Sequence, residues 1–298
     1  MITRGSISEL LAPDLREVYF DTGKERPKEY PLIFNVMDME WNPVSDFQVS
    51  GLGTMPGKAE GVQFTFDEIV TGGTKTYTAT PYGLAVEITW EAWRDELYGV
   101  MQEMVRCLAR AGRNREEVAA WSVLNNSFSA TYVGFTAAES LVSTSHTGLD
   151  GVTRANRPAV DIGYSVTGIQ NAITRFEDQT DERGLPRLMA PVMSVITSAN
   201  KFVAREIWGS SGKPYGANNE INALVDEDMS FMVSHYVTTS TYWWLLAAKG
   251  QHDLNYFWRD NPIFDMFDDP LTKNAIATAY QRHTQGYGTW RGIDGSTG

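Results

Sequence analysis

The chain has 298 residues, 42% hydrophobic and 21% charged, with a formal net charge of -12, a composition that predicts a folded protein of two compact bodies with extensions rather than one globule. The acid excess excludes tight, sequence-independent gripping of phosphate backbones, which needs Lys and Arg to displace counterions, and a single cysteine, Cys107, excludes an intrachain disulfide framework or a thiolate metal cage. No run approaches the roughly 20 apolar residues needed to span a bilayer, and the opening MITRGSISELLAPDL lacks a signal-peptide core, so a soluble chain without a membrane partner is expected.

In residues 1–45, prolines at 13, 27, 31 and 43 predict an arm that no long helix crosses, with short helical turns at 7–11 and 15–20 and an extended piece over 30–37. From Phe47 the pattern turns to strands: Phe47 and Val49, a glycine-rich tip GLGTMPGKAEG, alternating Val62, Phe64 and Phe66, then runs at 74–80 and 84–88. The tip has too few large apolar residues to bury itself on its own subunit. It is therefore expected to lie on another molecule.

Thr89 is the expected cap of a long helix, with Glu91 in its first turn. Leu97, Val100, Met101, Met104, Val105 and Leu108 make one apolar stripe, with Gln102, Arg106, Arg110 and Arg113 opposite. Val118, Trp121, Leu124 and Phe128 continue at helical spacing on a rotated face, which predicts a break near 112–114.

Beyond polar loops over 129–158, Ser165 is placed to cap a helix over 165–178, and an extended run at 188–196 leads into a helix over 198–208 with Phe202, Val203 and Ile207 inward. Segments 220–225, 230–237 and 242–248 read as strands or short buried pieces of a compact α/β body. The tail carries a strand over 275–283 and a turn at Gly286-Tyr287-Gly288, and it can pair back near the long helix.

Motifs for chemistry are weak. Gly209-Ser210-Ser211-Gly212-Lys213 is shorter than a phosphate loop and has Pro214 where the Mg²⁺-binding hydroxyl belongs, so a flexible loop is the better reading. Ser143, Ser145 and His146 put hydroxyls beside an imidazole without a nucleophile elbow. Asp265, Asp268 and Asp269 lack the ligand spacing of a calcium loop, and His235, His252 and His283 are scattered. No catalytic, metal or cofactor site is expected. Arg106, Arg110, Arg113 and Arg115 form the one basic cluster, a solvated helix face or a contact with an acidic neighbouring subunit or nucleic acid. Tyr242, Trp243 and Trp244 read as core or interface anchors.

The order of parts resembles the major capsid proteins of tailed bacteriophages, whose fold is shared with herpesvirus capsid floors and encapsulin shells. The matching pieces are the proline-broken arm, the loop with GLGTMPGKAEG and TYTATPYGLAVEITWE, the helical stretch DELYGVMQEMVRCLARAGRNREEVAAWSVLNNSF, the STSH turn and the closing AIATAYQRHTQGYGTWRG. The resemblance implies an α+β chain with an N-terminal arm at 1–45, an extended β-hairpin loop at 46–88, a peripheral domain with a long spine helix at 89–159, an axial α/β domain at 160–258, and a return to the peripheral domain over 259–298. It implies hexamers and pentamers of the chain itself closing an icosahedral head around double-stranded DNA, without specific DNA binding, in a virion assembled in the host cytoplasm.

Portal, scaffolding and decoration proteins are the further partners implied. Inter-subunit contacts are expected from Leu52, Met55, Lys58, Glu60, Phe64, Phe66, Lys75 and Tyr77 of the loop and from the basic face Arg106, Arg110 and Arg113. Lys58 and Lys75 lie in the element that some relatives crosslink to an Asn of a neighbour, but noncovalent locking is the expectation here. Two other readings stand beside this one: an encapsulin-like enzyme container and, ranked lower, a hydrolase using Ser145 and His146.

Overall fold

The computed structural model describes residues 7–25, 27–89, 91, 98–136, 138–214, 220–272 and 274–298. The chain opens with helix α1 (Ile7–Lys24) and a single helical turn, α2 (Tyr30–Ile33), followed by strands β1 (Asn35–Asp38), β2 (Val44–Val49), β3 (Thr71–Tyr77) and β4 (Thr80–Ile88). Helix α3 (Tyr98–Asn125) comes next, and then the short strands β5 (His146–Thr147) and β6 (Thr153–Arg154). Helices α4 (Val166–Glu177) and α5 (Lys201–Gly209) interleave with β7 (Met193–Thr197), β8 (Ser230–Ser234) and β9 (Trp243–Leu246), and the chain closes with β10 (Leu254–Asp268), β11 (Ala275–Tyr287) and β12 (Ile293–Ser296).

Two four-stranded sheets organise the molecule, one in the order β1-β10-β11-β4 and the other β12-β9-β7-β8. In the first, α1 and the N-terminal half of α3 cover one face, joining Leu15 and Tyr19 to Met101, Val105, Leu108, Phe264 and Ala277 in one core. The second sheet is covered on both sides. Trp244 and Leu246 of β9 face a core shared with Trp121, Leu124, Tyr256 and Ile293, while Trp243 and Leu245 face a core with Ile169, Phe176 and Ile207. Period-two alternation explains how all four residues of β9 are buried. The anchor reading of Trp243 and Trp244 resolves to core, and both indole N–H groups are used, on Ile162 O at 3.0 Å and on Ser127 Oγ at 3.0 Å.

Several sequence expectations are corrected. An 18-residue helix, α1, runs through Pro13: proline removes one backbone donor and crowds the preceding turn, but burial of Leu15 and Tyr19 against α3 outweighs that local cost. Residues 30–37 are a helical turn followed by β1, not one extended piece. Helix α3 passes 112–114 unbroken over 28 residues, roughly 42 Å. Its apolar face rotates because the two halves meet different partners, α1 with the first sheet and then the core between the sheets.

Val100, Met104 and Val118 are exposed, and so is Phe202, expected inward but 69% accessible. The expected cap at Thr89 adjoins residues 90 and 92–97, which lie outside the described residues, as does Leu97 of the expected stripe. In the tail, β11 extends to Tyr287, and Ile293–Ser296 leaves the first sheet to pair with β9. The stretch 259–298 is thus divided between the sheets, its last strand drawn away by the fully buried Ile293 and Asp294. Ser165 caps α4 as expected, accepting from Gly168 N at 3.2 Å.

Candidate functional site

Strands β2 and β3 form an antiparallel hairpin in which Val44 faces Tyr77 and Phe47 faces Thr74. Its root is tightly fixed. A Cβ on Gly73 would lie 1.9 Å from Phe135 O, so only glycine lets the strand approach the loop there. Lys75 donates from Nζ to Val133 O at 2.7 Å, and burial lowers its pKa. Tyr77 is buried against Phe257, with ring centroids 4.7 Å apart. Lys75 and Tyr77, expected to contact a neighbour, are therefore occupied within their own subunit.

Beyond the root the character changes. Every residue from 51 to 70 is exposed, and none lies in a helix or strand. Met55 is 95% accessible, Phe66 82% and Phe64 74%, with Leu52 and Glu60 also outward. The expected strand through Val62, Phe64 and Phe66 is absent because no neighbouring strand lies beside it within the described subunit. Lys58 sits over the Phe64 ring at 4.5 Å, an intraloop cation–π contact.

A few polar ties set the loop's direction. Ser50 N donates to Val70 O at 2.8 Å and Val70 N to Ser50 Oγ at 2.9 Å, closing the neck. Asp67 accepts from Gly53 N at 2.7 Å and pairs with Arg183 at 3.2 Å, contacts that lower its pKa. Arg183 also donates to Glu68 O. Gln48 donates to Glu182 Oε1 at 2.6 Å, and Arg291 pairs with the same carboxylate. Sequence reading missed Gln48, Asp67, Glu182 and Arg183, since no local pattern links residues more than a hundred positions apart.

The basic face of α3 is also engaged internally. Arg106 and Arg110 bond Glu103 at 3.4 and 2.9 Å, Arg110 lies 3.7 Å from Glu25, and Arg113 donates to Gly23 O at 3.2 Å in the last turn of α1. Arg110 and Arg113 thus meet the negative end of the α1 dipole, while Arg106 pairs within α3. Arg106 and Arg110 remain 39% and 51% exposed in these pairs, so the face is solvated and tied at one end to α1, a helix the arm's prolines did not suggest.

One turn further on, Glu117 accepts from Glu29 N at 2.7 Å, Tyr30 N at 3.1 Å and Trp121 Nε1 at 3.2 Å, and Glu116 meets Lys28. Burial raises the pKa of both carboxyls, with the Lys28 ammonium opposing the shift at Glu116. Two buried acids thus tie the N-terminal segment to α3. Their only sequence signal was a charged pair inside an apolar helical pattern.

The hydrolase constellation does not assemble. His146 is buried and stacked on Trp290 at 4.4 Å, its Nδ1 3.1 Å from Glu139 Oε2 and its Nε2 2.9 Å from Asn156 Oδ1. Ser143 Oγ instead donates to Ser145 O at 3.3 Å and accepts from Ser145 N at 3.1 Å, a self-satisfied turn. Gly209–Lys213 follows the C-terminus of α5, the end of a helix that repels phosphate, and Lys213 pairs with Glu220 at 3.3 Å. Asp269 caps its own turn through Leu271 N and Thr272 Oγ1. Among the described residues no three His, Cys, Asp or Glu side chains could hold a metal ion together.

The described residues thus form two packed bodies, a helix shared by their cores and a wholly exposed loop on a fixed root. The family described as phage capsid protein matches residues 72–293, and the chain belongs to that family. Solved structures share the fold at low identity. A structure from Microbacterium phage Oxtober96 is 11% identical with a TM-score of 0.58, covering 91% of each chain. The capsid of cyanophage P-SCSP1u is 10% identical with a TM-score of 0.59, covering 91% of this chain and 88% of the other. The capsid of bacteriophage JBD30 decorated with minor capsid protein trimers is 11% identical with a TM-score of 0.57, covering 80% of this chain and all of the other. Comparison with curated protein sequences finds no match. The chain is a major capsid shell protein of the virion that assembles with itself, and it is not an enzyme.

Proposed function

We propose that copies of this chain join head-to-tail into rings of six and five that tile an icosahedral head, each copy laying residues 51–70 over its neighbour. The observation that carries this reading is the unbroken exposure of 51–70, including Leu52, Met55, Phe64 and Phe66. Large apolar side chains concentrated on a projecting segment fit an intermolecular contact, and head-to-tail contacts close into rings when the rotation allows. The first sheet with α1 and α3 takes the peripheral role, and the second sheet with α4 and α5 takes the axial one, with β12 in the axial body.

A net charge of -12 keeps the wall from adhering to packaged double-stranded DNA, since carboxylate and phosphate repel. Assembly takes place in the host cytoplasm, with portal and scaffolding proteins as partners. A decoration protein on the outer surface follows by analogy with the decorated JBD30 capsid. Negative-stain microscopy of the purified chain tests the reading: closed shells are expected, and a protein that remains monomeric under all assembly conditions contradicts it.

A further inference from the structure

Strand β4 is the last strand of its sheet: β11 pairs one edge over Thr80–Ile88, and no described strand pairs the other. An unpaired edge presents a row of backbone donors and acceptors to any strand that reaches it. Beside β4 runs a groove of about 520 Å³ lined by Tyr82 and Leu84 of β4, Leu108, Ala111 and Arg115 of α3, and Tyr280 of β11, among others. Its lining is mainly apolar, and its one charged residue is Arg115, whose guanidinium lies 4.2 Å from the centroid of the Tyr82 ring.

The same subunit carries a segment with the opposite deficit. Val62, Phe64 and Phe66 alternate as in a half-buried strand, yet all three are exposed and 62–66 belongs to no strand. Gln63, Phe64, Thr65 and Phe66 make no backbone hydrogen bond with any described residue. Glu60 precedes the segment and Asp67 and Glu68 follow it, and the one cation against it, Lys58, lies over the Phe64 ring at 4.5 Å and has to leave that ring for Phe64 to seat beside Arg115.

We propose that residues 62–66 of one copy add as a strand to the free edge of β4 in a second copy, seating Phe64 in the groove beside Arg115. Main-chain bonds along β4 supply the attachment and the alternate apolar side chains set the register. Five residues span about 16 Å, within the length of β4. This inference rests on the reading that the loop reaches a neighbour, and it names what the loop grips there.

The test uses two full-length variants, Phe64→Cys and Leu84→Cys, each also carrying Cys107→Ser, co-assembled and treated with a short bismaleimide. Because each chain holds one cysteine, a mixed cross-link is necessarily between copies. The expected result is a 64–84 cross-linked dimer in assembled shells, absent before assembly and absent when Leu188→Cys, 96% accessible elsewhere, replaces Leu84→Cys. Shells that form without the 64–84 product overturn the acceptor site while leaving the shell reading intact; failure of the unmodified chain to form shells removes both. Hydrogen exchange on the unmodified chain provides a second readout, with outward amides of 80–88 slowing by at least about tenfold on assembly. Unchanged exchange there overturns the proposal.

Discussion

Residues 51–70 and strand Trp243–Leu246 are opposite extremes of this subunit: every residue of the first is exposed, and every residue of the second is buried. The loop is held by a neck and a surface ion pair, whereas the strand lies between two cores with both indole N–H groups bonded. The contrast separates two jobs. The β9 region decides whether the subunit folds, and the loop contributes little to that, which leaves its apolar residues available for contacts between copies.

The contrast is broken most strongly from the buried side. Trp244→Ala removes a fully buried side chain shared with Trp121 and Leu254 and is expected to destabilise the subunit by about 3–5 kcal/mol in urea denaturation. Phe66→Ala in the loop is expected to move stability by less than about 0.5 kcal/mol. Equal losses at the two positions would erase the distinction.

Arg175→Leu sharpens the same comparison electrostatically. Arg175 bonds the fully buried Asp294 through Nε and Nη2 at 2.7 and 2.6 Å, joining α4 to β12, and breaking such a pair costs about 3–5 kcal/mol. Burial pushes Asp294 up to about 7 against the pull of Arg175. The deficit of the variant is therefore expected to be smaller at low pH, where Asp294 is neutral, and to grow as pH rises through about 7. A pH-independent deficit would contradict this account.

A third prediction concerns pH and His283, which is fully buried among Tyr82, Tyr256 and Trp258, with neither ring nitrogen in a well-formed hydrogen bond to a described residue. Burial, aided by Arg115, pulls its pKa down to about 4. With the folded value depressed, its stabilisation is complete above the unfolded value near 6.5 and is lost as pH falls towards 4, by about 3 kcal/mol. His283→Phe should reduce the slope of the denaturation midpoint across that window, leaving the part carried by the buried His252 and His146, while loop substitutions leave the slope unchanged.

The smallest effect is expected at the loop's surface tie. Arg183→Ala removes the contacts with Asp67 and Glu68 O and should leave the denaturation midpoint in place while speeding protease cleavage within 51–70. Unchanged cleavage would show that the neck alone fixes the loop.

Much of this organisation was legible in the sequence. The glycine-rich tip, the Met101, Val105 and Leu108 part of the α3 stripe, the Ser165 cap and the buried WWLL run each carry a local signature. What stayed hidden depended on partners far along the chain. Helix α1 runs through Pro13 because α3 and the first sheet cover Leu15 and Tyr19, and Lys75 and Tyr77 turn inward because Val133 and Phe257 wait for them. The arginines of α3 are legible as a basic face, but the ties of Arg113 to Gly23 O and of Arg110 to Glu25 are not, because those partners lie far earlier in the chain. Conversely, 62–66 has the alternation of a strand and no described strand beside it, because pattern specifies a face and not the molecule that covers it.

Residues 51–70 are proposed to serve assembly and not folding. Deleting Gly51–Gly61 tests this most directly, with urea denaturation and negative-stain microscopy applied to the same preparation alongside the intact chain. The expected result is an unchanged denaturation midpoint with no stable closed shells; intact shells from the deletion would show that assembly does not need the segment.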